Sequence, residues 1–294
     1  MLAVPNVSEG TEVEVISQIR GSIAADPVAL VDEHTDPVHN RTVFTLAGAD
    51  APLVRALTDL ARSALGRIDI TRQRGAHPRI GALDVCPIVW PKPELRDSAR
   101  ETAFAVGEQL AGLGLPVFLY GELASTAERR ERSHFRRGGH EALRERMLAD
   151  ELEPDLGPGW PHATGGGVLV TARAPLAAFN VELADASAEE AAAIAARLRE
   201  AGGGPPGVRA IAIELDPGRM QISTNVHDPA FVTLGQIVDI IRRLTREHGA
   251  RPVAAELVGL IPEAALDGYP EDVPIAGEDP HRRTIEAHLR ALEP

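Results

Sequence analysis

The chain alternates short β-rich apolar runs with segments whose apolar residues recur at helical spacing. Leu2 to Val7 reads as a strand, and the polar turn Asn6, Ser8, Glu9, Gly10 feeds a helix beginning near Thr11, with Val13, Ile16, Ile19 and Ile23 on one face. Val28 to Glu33 and Thr42 to Ala47 predict two more strands. The loop between them, His34 to Arg41, is dense in titratable groups, and such loops are where sites are built. Ala51 to Leu65 is an amphipathic helix, Ile68 to Ile70 a short extended piece and Ala82 to Val89 a strand. Pro93 to Leu113 is a helix, and Pro116 to Tyr120 a strand ending in Gly121-Glu122. Ala127 to Asp150, rich in Arg and Glu, reads as a loop and a surface helix.

Residues 153 to 167 hold three prolines and five glycines, which excludes regular structure and marks a linker or a ligand loop. The same grammar then repeats. Val168 to Ala172 and Ala177 to Leu183 read as a hairpin, and Ser187 caps a helix with Glu189 and Glu190 in its first turn. Val208 to Leu215 and Arg219 to Val226 form a hairpin around Asp216-Pro217-Gly218, Thr233 to His248 a helix and Val253 to Leu260 a strand. A short helix is expected over Asp279 to Leu292. Strands and amphipathic helices joined partly by hairpins predict an α/β protein with mixed sheets in two subdomains, the break lying near residues 165 to 176.

Composition narrows the partners. Aromatics are only 3% of the chain, so the core must be built from Ala, Val, Leu and Ile. A formal net charge of −13 argues against nucleic acid or an anionic membrane, since phosphate binding needs a concentrated basic face. The one basic cluster, Arg129 to Arg137, reads by default as a solvated face, the alternative being an anion-binding loop near a site. Cys86 is the only cysteine and lies in an apolar run, which predicts an inert buried thiol and excludes a disulfide framework or a cysteine metal site. No stretch approaches the roughly 18 apolar residues of a membrane span, and the N-terminus lacks the pattern of a secretory signal, so a cytoplasmic protein is expected.

The candidate for chemistry is His77, in Arg72-Gln73-Arg74-Gly75-Ala76-His77-Pro78-Arg79-Ile80-Gly81-Ala82-Leu83-Asp84. Pro78 biases His77 toward an extended or turn conformation that presents its ring from a loop. A lone loop histidine is ordinarily unremarked surface, and only its company makes it a candidate.

That company resembles the formiminotransferase domain of glutamate formiminotransferase. The resemblance is carried by Val4-Pro5-Asn6-Val7-Ser8-Glu9-Gly10, Asn40-Arg41-Thr42-Val43-Phe44-Thr45, His77 through Pro87, Leu119-Tyr120-Gly121-Glu122, Pro154-Asp155-Leu156-Gly157-Pro158, Ala172-Arg173, Ala178-Phe179-Asn180-Val181, Gln221 through Asn225 and Glu256 through Pro262. It implies an N-terminal subdomain over 1–175, a C-terminal subdomain over 176–266 and a tail over 267–294. It also implies a V-shaped groove holding tetrahydrofolate as co-substrate, no metal, and a homodimer. The implied reaction moves the formimino group of N-formimino-L-glutamate to N5 of tetrahydrofolate. A residue of near-neutral pKa can take the N5 proton and protonate the departing glutamate nitrogen, and His77 matches the family's catalytic histidine.

The loop Gly157-Pro158-Gly159-Trp160-Pro161-His162-Ala163-Thr164-Gly165-Gly166 matches the family's folate-contacting loop, with His162 expected to be exposed. Arg41, Arg79 and Arg173, beside Asn40 and Asp84, are candidates for binding substrate carboxylates, because an Arg fork pairs with a carboxylate bidentately; structural ion pairs are the competing reading. Asp84, Glu9 or Glu122 could hold the amidinium charge. The chain departs from the family's vertebrate-type pattern at Ala76 and His34, where acidic residues are expected, and in Trp160 to Ala163. No cyclodeaminase domain is expected to follow, so a separate cyclodeaminase would process the product. A related folate-dependent transferase with another donor or acceptor, such as formylglutamate, and a non-catalytic folate-binding protein are the alternatives.

Overall fold

Pro5 has no N–H for a sheet ladder, and the strand expected over Leu2 to Val7 is split in the computed structural model of the chain into β1 (Leu2–Ala3) and β2 (Asn6–Val7). The structure describes all residues except 24–26, 76–77, 217, 247–248 and 293–294. The catalytic candidate His77 and its neighbour Ala76 therefore lie outside the described residues, as do Pro217 of the second predicted hairpin turn and His248 at the predicted end of a helix. Two compact units are present, Met1–Ala174 and Pro175–Pro294.

In the first unit, β1 and β2 lie in line between β4 (Arg41–Ala47) and β5 (Leu83–Val89), antiparallel to both, and β3 (Ala29–Asp36) flanks β4. On the far side of β5 run β7 (Val168–Arg173) and then β6 (Val117–Leu119), both parallel. Helices α1 (Val13–Ile23), α2 (Asp50–Leu65) and α3 (Arg96–Gly112) close one face of this sheet. Ile19, Leu57, Leu60 and Leu110 from the helices meet Phe44, Leu46, Cys86, Ile88 and Val170 from the strands in an almost entirely aliphatic core. Cys86 is fully buried and its thiol is pushed up to about 12 by desolvation, the inert state expected.

Strand alternation sends the remaining side chains to the other face. Asp32, His34 and Asp36 on β3 lie opposite Thr45, Val43 and Arg41 on β4, while Thr171 and Arg173 alternate on β7 with the core residues Val170 and Ala172. One face is thus apolar and the other polar. Short helices α4 (Arg132–Arg136) and α5 (Gly139–Leu148) cover part of the polar side, where Phe135, Leu143 and Met147 pack with Val85, Phe118, Tyr120 and Leu169.

The second unit runs β8 (Ala177–Ala184), α6 (Ala188–Leu198), β9 (Val208–Asp216), β10 (Arg219–Val226), α7 (Leu234–Thr245) and β11 (Arg251–Leu257), in an antiparallel sheet ordered β11-β8-β10-β9. The β1/β2-α1-β3-β4-α2-β5 part of the first unit has the same connectivity and the equivalent order, β5-β1/β2-β4-β3. Each is a split βαβ unit, so the repeated grammar of the sequence is a repeated topology. Helices α6 and α7 start on capping boxes, Ser187 with Glu190 and Thr233 with Gln236. Residues beyond Leu266 pack on this core: Val273 is buried in it, Tyr269 donates its hydroxyl to the Val273 carbonyl, and α8 (Ile285–Leu292) follows.

One predicted pairing is wrong. β7 and β8 are not a hairpin; β7 joins the first sheet and β8 the second. Val168 to Ala172 is buried throughout, the mark of a parallel strand covered on both faces rather than of a hairpin arm. The Arg- and Glu-rich stretch holds two helices, α4 and α5, rather than one. No helix among the described residues is long and apolar enough to cross a membrane.

Candidate functional site

The described residues on either side of 76–77 are held by contacts from three directions. Upstream, Gln73 donates through Nε2 to Glu9 Oε2 (2.8 Å), and Asn40 donates through Nδ2 to Gln73 Oε1 (2.6 Å) and to the Arg74 carbonyl (2.7 Å). Gly75 admits no side chain, because a Cβ there would lie 2.2 Å from Arg79 Nη2 and 2.6 Å from the His39 carbonyl. Downstream, Ile80 N–H donates to Asp84 Oδ1 (2.7 Å) and Ser8 Oγ to the Gly81 carbonyl (2.7 Å).

The third direction is the glycine-rich loop. Ala82 N–H donates to the Gly165 carbonyl (2.9 Å) and Gly167 N–H to the Ile80 carbonyl (3.0 Å), an approach that only glycines permit. A Cβ on Gly81 would meet the Gly167 carbonyl oxygen at 1.8 Å, and one on Gly166, at φ 66°, the Ile80 carbonyl oxygen at 2.0 Å. The loop thus docks on the stretch that follows His77. Its tip differs: Trp160 is 66% exposed, whereas His162 is half-buried and accepts from Gly165 N–H through Nδ1 (2.9 Å). His162 is therefore a brace within the loop rather than the exposed contact expected.

Asn40 is the hinge between these parts. It adopts φ 48°, a conformation that Asn tolerates better than most residues, and its Oδ1 accepts from Gly10 N–H (2.8 Å). Its carbonyl accepts from Arg79 Nη1 (3.1 Å), and the His39 carbonyl accepts from Arg79 Nη2 (2.7 Å). The turn that presents Asn40 is set by Asp36, whose Oδ1 accepts from His39 N–H (2.9 Å) and whose Oδ2 meets His39 Nδ1. Burial would raise the Asp36 carboxyl, but the hydrogen bonds from His39 outweigh it and hold the group below the usual carboxylate range.

A run of guanidiniums crosses the polar face. Arg136 from α4 pairs with Asp84, which is the extra residue of a bulge in β5 opposite β2, and bulges re-aim side chains in this way. Arg41 is pushed down to about 10, chiefly by desolvation and further by Arg136 and Arg132 against the opposing pull of Asp36. Arg173, at the end of β7, is likewise pushed down to about 10 by desolvation, with Tyr120 opposing the shift and Arg132 reinforcing it. Such a surface suits an anion.

The first 173 residues match the family model described as the formiminotransferase domain, N-terminal subdomain. Over 290 residues the chain is 35% identical to the glutamate formimidoyltransferase of Streptococcus pyogenes serotype M1, covering 97% of both chains. The chain belongs to the formiminotransferase family. A glutamate formimidoyltransferase of Thermoplasma acidophilum is 34% identical over 90% of this chain and 88% of its own length. The formimidoyltransferase-cyclodeaminase of Sus scrofa is 40% identical over 90% of this chain, which spans 50% of that longer protein.

Within this family member, the structure brings Asn40, Arg41, Arg79 and Asp84 together beside the described residues that flank 76–77, and Arg132 repels both Arg41 and Arg173. Both amide hydrogens of Asn40 go to the loop, so it acts as a clamp. Of the carboxylates considered for the amidinium, Asp84 pairs with Arg136, Glu9 accepts from the Thr11 and Glu12 amides, and Glu122 lies on the surface beside Arg96 at 2.8 Å. Residues 34 to 36 are strand rather than loop. Arg132 and Arg136 were absent from the sequence candidates because their run reads by default as solvated. Two arginines four apart on one helix face were the available signal.

Proposed function

We propose that the protein transfers the formimino group of N-formimino-L-glutamate to N5 of tetrahydrofolate, giving 5-formiminotetrahydrofolate and L-glutamate. The observation that carries this reading is the chain-long similarity to glutamate formimidoyltransferase, with 97% of both chains aligned. The hydrogen bonds that hold Gln73, Arg74 and Ile80, on either side of residues 76–77, support it locally.

In this reading N5 of tetrahydrofolate attacks the amidine carbon and a C–N bond forms. His77 takes the proton from N5 and delivers it to the glutamate nitrogen, whose bond to the carbon then breaks. One group of near-neutral pKa serves both transfers, a role worth roughly 10²–10⁴ in rate. The loop from Gly157 to Gly166 contacts the folate, Trp160 offering an exposed ring for the flat pterin. Arg41 and Arg173 hold carboxylates, and Arg79 braces the backbone of His39 and Asn40 beside them. The protein works in the cytoplasm as a homodimer.

Purified protein with tetrahydrofolate should release L-glutamate from N-formimino-L-glutamate and form the 5-formimino product. Turnover of N-formyl-L-glutamate in its place would replace this donor assignment, and folate binding without turnover of either would make the chain a binding protein.

A further inference from the structure

A helix as short as α4 cannot hold its turn unaided, because the first turn fixes several residues for a single hydrogen bond. Its conformation is imposed from three sides. Phe135 is fully buried and packs on Phe118 of β6, with 5.5 Å between ring centres. Upstream, Arg129 pairs with Asp155, whose Oδ2 also accepts from Leu119 N–H at 2.7 Å. Downstream, Arg146 of α5 reaches back over the helix end. Its Nη1 donates to the carbonyls of Phe135 (3.0 Å) and Arg137 (3.3 Å), and its Nη2 to that of His134 (2.9 Å). One planar fork thus takes three carbonyls at the end of α4, where a helix leaves such groups without internal partners.

Arg146 is buried, and among the described residues it forms no ion pair. Burying a guanidinium is costly, and the groups that this one bonds all belong to the end of α4. What α4 carries inward is Arg136, which pairs with Asp84. Asp84 is itself buried, and its other oxygen accepts from Ile80 N–H at 2.7 Å. Ile80 lies three residues past His77 in the chain. Hydrogen bonds and an ion pair therefore run without a gap from α5 to the stretch that follows His77.

We infer that Arg146 and Arg136 are positioning residues for proton transfer by His77: Arg146 fixes α4, α4 sets Arg136 on Asp84, and Asp84 so paired holds Ile80. Both act through Asp84 and Ile80 rather than on the reacting atoms. The effect on rate rests on the formiminotransferase reading, whereas the linkage itself does not.

The test is a double-mutant cycle on Arg146→Gln and Asp84→Asn, read by steady-state kinetics and by exchange of the Ile80 amide proton. Each single change should lower kcat by about 10- to 100-fold with little change in either KM, because a misplacement of about 1 Å far from the chemistry can cost that much. The double variant should lose no more than the worse single one, since both changes break the same link. Losses that multiply, as independent sites give, overturn the relay. A loss confined to KM overturns the positioning role.

Arg146→Gln should also speed Ile80 amide exchange at least about 10-fold, while the Leu198 amide in the second unit keeps its rate. Wild-type Ile80 exchange in the folded variant overturns the linkage, and wild-type kcat beside faster exchange overturns its role in turnover. Should Arg146→Gln not fold, Arg146→Lys keeps the charge and the stem but lacks the planar fork, and wild-type kcat and Ile80 exchange in that variant overturn the relay. If the wild type turns over no formimino donor, the exchange measurement alone decides the linkage and the activity fails separately.

Discussion

Asn40 combines a left-handed backbone at φ 48° with a side chain that ties Gly10, Gln73 and the Arg74 carbonyl together. Asn40→Ala removes the ties and keeps the strain, so it should cost about 2–4 kcal/mol in urea unfolding and lower kcat more than KM, whereas Asn40→Gly should keep more of the stability than of the rate. Equal kcat in all three proteins would leave the clamp without a role in turnover. Glu9 supports the same loop through Gln73. Its burial opposes ionisation, but hydrogen bonds from the Glu12 and Thr11 amides and Gln73 prevail, and its pKa lies below the ordinary value. A depressed carboxylate stabilises the fold fully above its unfolded pKa of about 4.3, and that stabilisation fades as the pH falls through the folded value. Glu9→Gln should therefore be less stable than the wild type at neutral pH and flatter on the acid side. Parallel stability curves from pH 7 to 3 would remove Glu9 from the acid response.

At the scale of elements, the contact between residues 80–82 and 165–167 depends on missing side chains. Gly81→Ala places a Cβ against a backbone oxygen and should cost roughly 3 kcal/mol or more, seen as a lowered melting temperature, while Gly159→Ala, with open space around it, should be close to neutral. Equal melting points would mean that the loop shifts freely. The glycine density of 153 to 167 was legible in the sequence as a non-regular loop, but its docking partner was not, since backbone pairing across about 85 residues leaves no local pattern. Elements with strong periodicity were read correctly: α2, the β9–β10 pairing and the Ser187 cap rest on local spacing and capping chemistry. The β7–β8 error has the opposite cause. Two apolar runs separated by Arg-Ala-Pro-Leu read as a hairpin by proximity, and only tertiary structure shows that β7 is a parallel strand of another sheet. The inward role of Arg132 and Arg136 was hidden for a similar reason, because a charge run is a solvated face unless another element lies over it.

At the scale of the molecule, the second unit has its own aliphatic core, a closed split βαβ topology and two capped helices. Residues 175–294 expressed alone should give dispersed amide spectra and a cooperative unfolding transition; a collapsed state without fixed packing would show that this core needs the first unit. The family assignment came from ordered motifs spread over both halves, whereas the geometry that distinguishes clamp from ligand residue came only from the structure. The central claim is transfer of one carbon from a glutamate nitrogen to a folate nitrogen with His77 moving the proton. It is tested most directly by following N-formimino-L-glutamate labelled with ¹³C in the formimino group, mixed with tetrahydrofolate and either the wild type or His77→Ala, by NMR. The label should move to N5 of tetrahydrofolate in the wild type and do so about 10²–10⁴ times more slowly in His77→Ala. Label that stays on glutamate with the folded wild type, or moves equally fast in the variant, would contradict the account.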